Sequence, residues 1–181
     1  MISVEHGNII KAGTEAIVIS ANGCGILTHG VADAIREAGG ESIGEEAKRL
    51  VAARLKPLGN YQKARDEPFK PGECYVTGSG KLRKRGTKNV YHAVTMEYPG
   101  GMTSIDFVCK AMRSALDKAI ANGVKSIAIP GLGIGTGRLD KTTVAIRMAR
   151  IAQEYQNWIE IVLLDQDKEF IDELKRFLGA E

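Results

Sequence analysis

Residues 126–140, Ser-Ile-Ala-Ile-Pro-Gly-Leu-Gly-Ile-Gly-Thr-Gly-Arg-Leu-Asp, constrain the fold of this chain more than any other stretch. A short apolar run ends at Pro130, glycines stand at 131, 133, 135 and 137, and a helical periodicity starts near Asp140. The order predicts a buried strand, a glycine loop and a helix. Such a loop carries bare N–H groups to a helix N-terminus, an arrangement suited to phosphate. A tight turn alone needs one or two glycines, and every further one costs conformational entropy on folding. The stretch is not a Rossmann fingerprint, because counted from Gly131 or Gly133 the third glycine position falls on Thr136 or Arg138. Neither is it a Walker loop, since no Gly-Lys-Ser or Gly-Lys-Thr follows.

The rest of the chain repeats this alternation. Met1 to Val4 reads as a short strand, turned by His6-Gly7-Asn8, and Ala16 to Ile19 as a central strand covered on both faces. A loop from Ala21 to Gly30 leads into a helix on which Val31, Ala34, Ile35 and Ala38 share a face, stopped at Gly39-Gly40. A second helical segment runs from Glu41 to about Leu55. Lys56 to Gly72, with Pro57, Pro68 and Pro71, reads as an irregular connection. Strands follow at Glu73 to Thr77 and Asn89 to Val94, with a basic turn at Lys81 to Gly86 between them. Thr103 reads as the N-cap of a helix with Asp106 at its third position, carrying Val108, Met112, Ala115 and Leu116 on one face. Helices around Val144–Ile151 and Phe170–Leu178 flank a last strand from Ile159 to Leu164. Strands alternating with helices indicate βαβ units and a largely parallel sheet, on which ligands sit at the carboxyl ends of the strands.

Length and composition narrow the classes. A chain of 181 residues is long enough for one well-formed α/β core. Its net charge of +3 fits an anionic ligand and is too small to indicate nucleic acid. No apolar run approaches the roughly 18 residues of a membrane span, and the N-terminus lacks a signal peptide's layout. Cys24, Cys74 and Cys109 are odd in number and widely spaced, so neither a disulfide framework nor a zinc site is expected. The cytoplasm is the expected compartment. No cofactor and no metal are expected.

A second glycine-containing loop, Ala21 to Val31, follows the strand ending at Ile19. Asn22 offers an amide that can donate to and accept from a sugar hydroxyl, or serve as a turn residue. His29 can shuttle a proton near neutral pH or lie at the surface. Cys24 is read as a packing residue, His92 as a hydrogen-bonded core histidine, and Lys81 to Arg85 as a solvated turn without aromatics for base stacking.

Together these stretches resemble the macro domain family, the ADP-ribose-binding module. Gly7-Asn8-Ile9-Ile10 stands where the family has Gly-Asp-Ile-Thr, and Ala16 to Asn22 is similar to its Ala-Ile-Val-Asn-Ala-Ala-Asn. Thr28 to Ile35 matches its Gly-Gly-Gly-Val-x-x-Ala-Ile. Pro71 to Thr77 and Val90 to Val94 match its middle strands, and the loop after Pro130 matches its Pro-x-x-Ser-x-Gly-Ile-Tyr/Phe-Gly. The resemblance implies a three-layer α/β/α fold with a mixed, mostly parallel sheet, and one macro domain over 1–181. It implies ligand contacts from Asn8 and Ile9 at the adenine, Asn22 at the distal ribose, Gly30 and Val31 on one side of the diphosphate, and Gly133, Ile134, Gly135, Thr136 and Gly137 on the other.

Four departures bear on the ligand. Asn8 replaces an aspartate; a charged acceptor makes a roughly twofold stronger hydrogen bond, so restoring Asp at position 8 is expected to tighten binding. Ile19 replaces an asparagine, Thr28 and His29 replace glycines, and Gly137 replaces an aromatic. One hydrolase group of the family has Asp directly after the Gly-Val of the first loop; here Ala32 stands there and Asp33 follows. The candidate catalytic residues are therefore Asn22, His29 and Asp33. Three readings stay open: an ADP-ribose binder that hydrolyses ADP-ribosyl bonds or deacetylates O-acetyl-ADP-ribose, a non-catalytic ADP-ribose or poly(ADP-ribose) reader, and an RNA binder using Lys81 to Arg85. The expected partner is ADP-ribose or an ADP-ribosylated substrate; nucleic acid and membrane are not expected partners.

Overall fold

The computed structural model describes residues 1–54 and 68–179. Six strands, β1 (Ile2–His6), β2 (Ala16–Asn22), β3 (Cys74–Gly78), β4 (Asn89–Met96), β5 (Ser126–Ile129) and β6 (Glu160–Asp165), form one sheet in the order β1-β6-β5-β2-β4-β3. All neighbours are parallel except β3, which runs antiparallel to β4 at the edge. Among the described residues five α-helices cover it: α1 (Gly30–Gly39), α2 (Ser42–Arg54), α3 (Ile105–Ala121), α4 (Lys141–Tyr155) and α5 (Lys168–Leu178). The mixed, mostly parallel sheet expected from the sequence is the one observed.

Strand periodicity builds the two cores. On β2, Ala16 and Val18 join the cluster under α3, α4 and α5, while Ile17 and Ile19 join the cluster under α1 and α2. Both faces of the strand are buried, which is why its sequence is continuously apolar. Parallel pairing sends the carboxyl ends of β1, β2, β5 and β6 to one edge of the sheet. There β2 lies next to β5, so the loops after them emerge side by side.

The structure shifts several boundaries. β2 continues past Ile19 to Asn22, with a register irregularity against β4 between Ala21 and Asn22. Ser104, not Thr103, caps α3 by accepting from the Phe107 N–H at 3.2 Å, and Asp106 falls one position earlier than expected. The Thr103 hydroxyl instead donates to the Thr95 carbonyl at 2.7 Å, a tertiary partner that a local pattern cannot reveal. The basic stretch is a 3-10 helix, Gly80–Arg85, anchored by buried Leu82. It lies before β4, at the end of the sheet opposite the loops after β2 and β5. The proposed irregular connection from Lys56 falls outside the described residues as far as position 67. No helix among the described residues is long and apolar enough to cross a membrane.

His92, on β4, is completely buried. Its Nε2 lies 2.9 Å from the Thr77 hydroxyl, its ring stacks on Tyr75 at 4.4 Å, and its Nδ1 meets no partner among the described residues. Burial disfavours the charged ring and pushes its pKa down to about 3. In the unfolded chain the same group titrates near 6.5, so acid drives proton uptake by the unfolded state. The stability held by neutral His92 is complete above about pH 6.5 and drains away toward pH 3, at about 1.4 kcal/mol per pH unit. Urea unfolding between pH 6.5 and 4.5 is expected to show this loss in the wild type. The His92→Gln variant should show a shallower slope; an equal slope would assign the acid sensitivity to other groups.

Candidate functional site

The loop after β5 explains its own glycine pattern. Leu132 is fully buried beneath it, and Ile134 packs partly into the same core. Burying one such side chain contributes about 1.5–3 kcal/mol, so these two pin the loop down at alternate positions. Gly133, Gly135 and Gly137 line a cleft, Gly133 buried at its base and Gly135 exposed at its mouth. Close packing dictates two of them. A Cβ at Gly133 would meet Leu139 and Val108 side chains at 2.8 and 2.9 Å, in a backbone of φ +81°. A Cβ at Gly137 would meet the Gly133 carbonyl oxygen at 2.5 Å and the Thr103 methyl at 2.6 Å. The family's aromatic at position 137 therefore has no room in this conformation. At Gly135, by contrast, an added Cβ meets nothing.

The loop's donors are mostly unspent. The Gly131 N–H goes to the Asp165 carboxylate at 2.9 Å, and the Arg138 and Leu139 N–H groups close the loop onto Gly135 and Gly133. The N–H groups of Gly133 to Gly137 find no acceptor among the described residues. Opposite them stands the first turn of α1, whose leading N–H groups are orphans by helix geometry. α3, α4 and α5 begin with Ser104, Asp140 and Asp167, each accepting a backbone N–H. His29 occupies the same position on α1 and makes no side-chain cap. Two sets of unpaired donors thus converge.

The cleft has two chambers that share Gly30, Val31 and Pro130 as walls. The first, about 120 Å³, is lined by Ser20–Asn22, Ile26, Thr28–Ala32, Met96, Pro99, Gly100 and the loop glycines with Thr136. The second, about 360 Å³, is lined by Gly7–Ile9, Ala34, Leu164, Asp165 and Gln166. Neither chamber has a lysine or arginine on its described walls. Any attraction for an anion comes from the backbone N–H groups and the α1 dipole.

Most of the expected residues meet here. Asn8 and Ile9 line the second chamber, and Asn22, His29, Gly133, Gly135, Thr136 and Gly137 the first. Ile134 does not: its side chain faces the core, so only its backbone serves the loop. Asp33 is also off the walls, held by Arg36 at 2.6 Å on the outer side of α1. Asn22 acts first as a turn residue. Its Oδ1 accepts from the N–H groups of Cys24 and Ile26, at 3.0 and 3.3 Å, and its Nδ2 donates to the Ile26 carbonyl at 2.8 Å. An amide has two donor hydrogens, so one remains for the chamber. The Thr28 hydroxyl lies 2.8 Å from His29 Nδ1, which leaves the other ring nitrogen at the cleft. Burial pushes the Cys24 thiol up, which suits packing and not nucleophilic attack.

Three polar wall residues escaped the sequence reading. Ser20, hydroxyl-bonded to Thr95 at 2.8 Å, forms part of the first chamber. Asp165 and Gln166 enter the second because β6 lies between β1 and β5. Only strand order brings them there, and no local motif marks them. Among the described residues no group of three or more His, Cys, Asp or Glu could hold a metal ion.

The carboxyl end of a mostly parallel sheet, with a cleft built from two loops and a helix start, defines an α/β/α protein whose cleft presents unpaired backbone donors. The comparisons narrow this class. A model described as Macro domain matches residues 18–148, so the chain belongs to the macro domain family. An uncharacterized protein of Aquifex aeolicus is 33% identical over 180 residues, 98% of each chain. A macro domain-containing protein of Caldanaerobacter subterraneus is 32% identical over 155 residues, covering 85% of this chain and 80% of its own. Among solved structures, a mutant Oceanobacillus iheyensis macrodomain with ADPR superposes with a TM-score of 0.80 at 21% identity, covering 98% of this chain and 90% of that one. A Trypanosoma brucei macrodomain in complex with ADP gives 0.76 at 20% identity, covering 98% and 69%.

The missing cap on α1 makes a test of opposite signs. His29→Asp supplies an N-cap worth about 1 kcal/mol and should raise the melting temperature. The same carboxylate occupies the donors an anion needs and repels it, so ADP affinity should fall at least about tenfold. Unchanged ADP affinity would place the anion away from the start of α1.

Proposed function

We propose that the cleft binds ADP-ribose, free or attached to another molecule, with the residues 1–181 acting as one macro domain. The observation that carries this reading is the run of unpaired N–H groups from Gly133 to Gly137 facing the uncapped first turn of α1. A diphosphate supplies acceptors to both sets, and charge-assisted bonds of this kind are the strong ones. The second chamber then takes the base, between Ile9 and Val31, and the first takes the distal ribose near Asn22. The macrodomains similar to this chain that were solved with ADPR and ADP support the choice of ligand. The basic 3-10 helix lies at the far end of the sheet and has no part in the cleft.

A second reading, hydrolysis of an ADP-ribosyl bond, is favoured by His29. Its exposed ring stands on the wall of the first chamber with one nitrogen committed to Thr28. The other can orient a water toward the anomeric carbon while the loop N–H groups hold the diphosphate. Asn22 would position the distal ribose. Asp33, paired with Arg36, has no part in this step.

Calorimetry with ADP-ribose tests the first reading. Wild type should bind, and Gly135→Val, which adds a side chain in open space on the cleft wall, should lose binding with its melting temperature kept. Absence of heat in the wild type would overturn the ligand assignment. Release of ADP-ribose from a modified peptide tests the second reading: His29→Ala should abolish turnover while keeping ADP-ribose affinity within about threefold, the effect of losing one exposed contact. Equal turnover in variant and wild type would remove His29 from the chemistry.

A further inference from the structure

The second chamber combines apolar walls with a small polar set. Ile9, Val31, Ala34, Pro130 and Leu164 make it a slot for a flat ring, and Asn8, Asp165 and Gln166 supply its polar side chains. Asn8 is partly spent, because its Oδ1 caps the 3-10 helix Ile9–Lys11 by accepting from the Ile10 N–H at 3.0 Å. Its Nδ2 hydrogens remain. Asp165 holds one N–H on each oxygen, Gly131 on Oδ2 and Asp167 on Oδ1, both at 2.9 Å. A carboxylate has about four acceptor positions, so each oxygen keeps one. No lysine or arginine among the described residues pairs with Asp165. The chamber therefore holds one carboxylate acceptor without a cationic partner among the described residues, beside an amide left with donors.

Resting on the reading of the ligand as ADP-ribose, we infer that Asp165 is the residue that selects the base. Its carboxylate accepts from the exocyclic amine of adenine, and the Asn8 amide donates to the ring nitrogen beside that amine. The assignment explains why a neutral residue stands at position 8. A second carboxylate there would face Asp165 across one small chamber, and like charges in a shared site disfavour each other's ionised forms. The sequence-based expectation for Asn8→Asp then reverses sign, from tighter to weaker binding. The same carboxylate also holds the Gly131 N–H, so the group that reads the base fixes the start of the diphosphate loop.

The test is calorimetry with ADP-ribose and with its hypoxanthine counterpart, in which a carbonyl replaces the amine. Wild type should prefer adenine by about tenfold or more, as sites built for a hydrogen-bonding group reject its absence. Asp165→Asn should compress the preference to within about threefold, since a neutral acceptor holds the amine less strongly. Asn8→Asp should bind ADP-ribose more weakly than wild type. No base preference in the wild type overturns the inference. So does an equal loss for both ligands in Asp165→Asn, which would make Asp165 a brace for Gly131 alone, or tighter binding by Asn8→Asp. Should Asp165→Asn fail to fold, the wild-type preference and Asn8→Asp decide. Failure of the wild type to bind either ligand would be the distinct failure of the ADP-ribose reading.

Discussion

Backbone N–H groups without a carbonyl to meet are the constraint around which the cleft is built. Folded proteins leave few such groups unpaired in protected places, yet this chain gathers two sets at one sheet edge. The start of α1 is left without a side-chain cap, although α3, α4 and α5 each have one. The loop after β5 is held down by Leu132 and Ile134, so its donors are positioned without being used. Leu132 and Ile134 anchor the loop, and Gly133, Gly135 and Gly137 line the cleft. The glycine alternation at 131, 133, 135 and 137 is the sequence trace of that division.

Electrostatics follows the same economy. The described walls contain no lysine or arginine. Fixed dipoles replace mobile cations, which avoids the entropy of ordering long side chains around an anion. The carboxylate of Asp165 is compatible with this because it sits in the second chamber and is itself held by two N–H groups. One chamber is thus biased toward negative charge and the other toward donors on a base. For the ligand proposed above, that asymmetry would set its orientation across the shared Gly30, Val31 and Pro130 walls.

Local patterns carried much of this. The apolar runs at Ala16–Ile19 and Ser126–Ile129, the helix start near Asp140 and the two loops could all be read from residue order, because each depends on neighbours within a few positions. The macro domain resemblance rested on such stretches in their order, and the family match bears it out. What could not be read depends on contacts between distant segments. Thr103 lost its capping role to Ser104 because Thr95 lies within reach of its hydroxyl. Asp33 is the exception, since its partner Arg36 stands only three positions on and the pair is local. Asp165 and Ser20 reached the cleft only through the order of strands in the sheet. The absent aromatic at Gly137 was visible in the sequence as a departure, while its cause, the Thr103 methyl and the Gly133 carbonyl, was visible only in three dimensions.

The central claim is that the unpaired donors themselves receive the diphosphate. Amide-resolved nuclear magnetic resonance during titration with ADP-ribose addresses it most directly. The largest shifts should fall on the N–H groups of Gly133 to Gly137 and of Gly30 to Ala32, moving together with one affinity. Shifts concentrated elsewhere, with these amides unmoved at saturation, would contradict it.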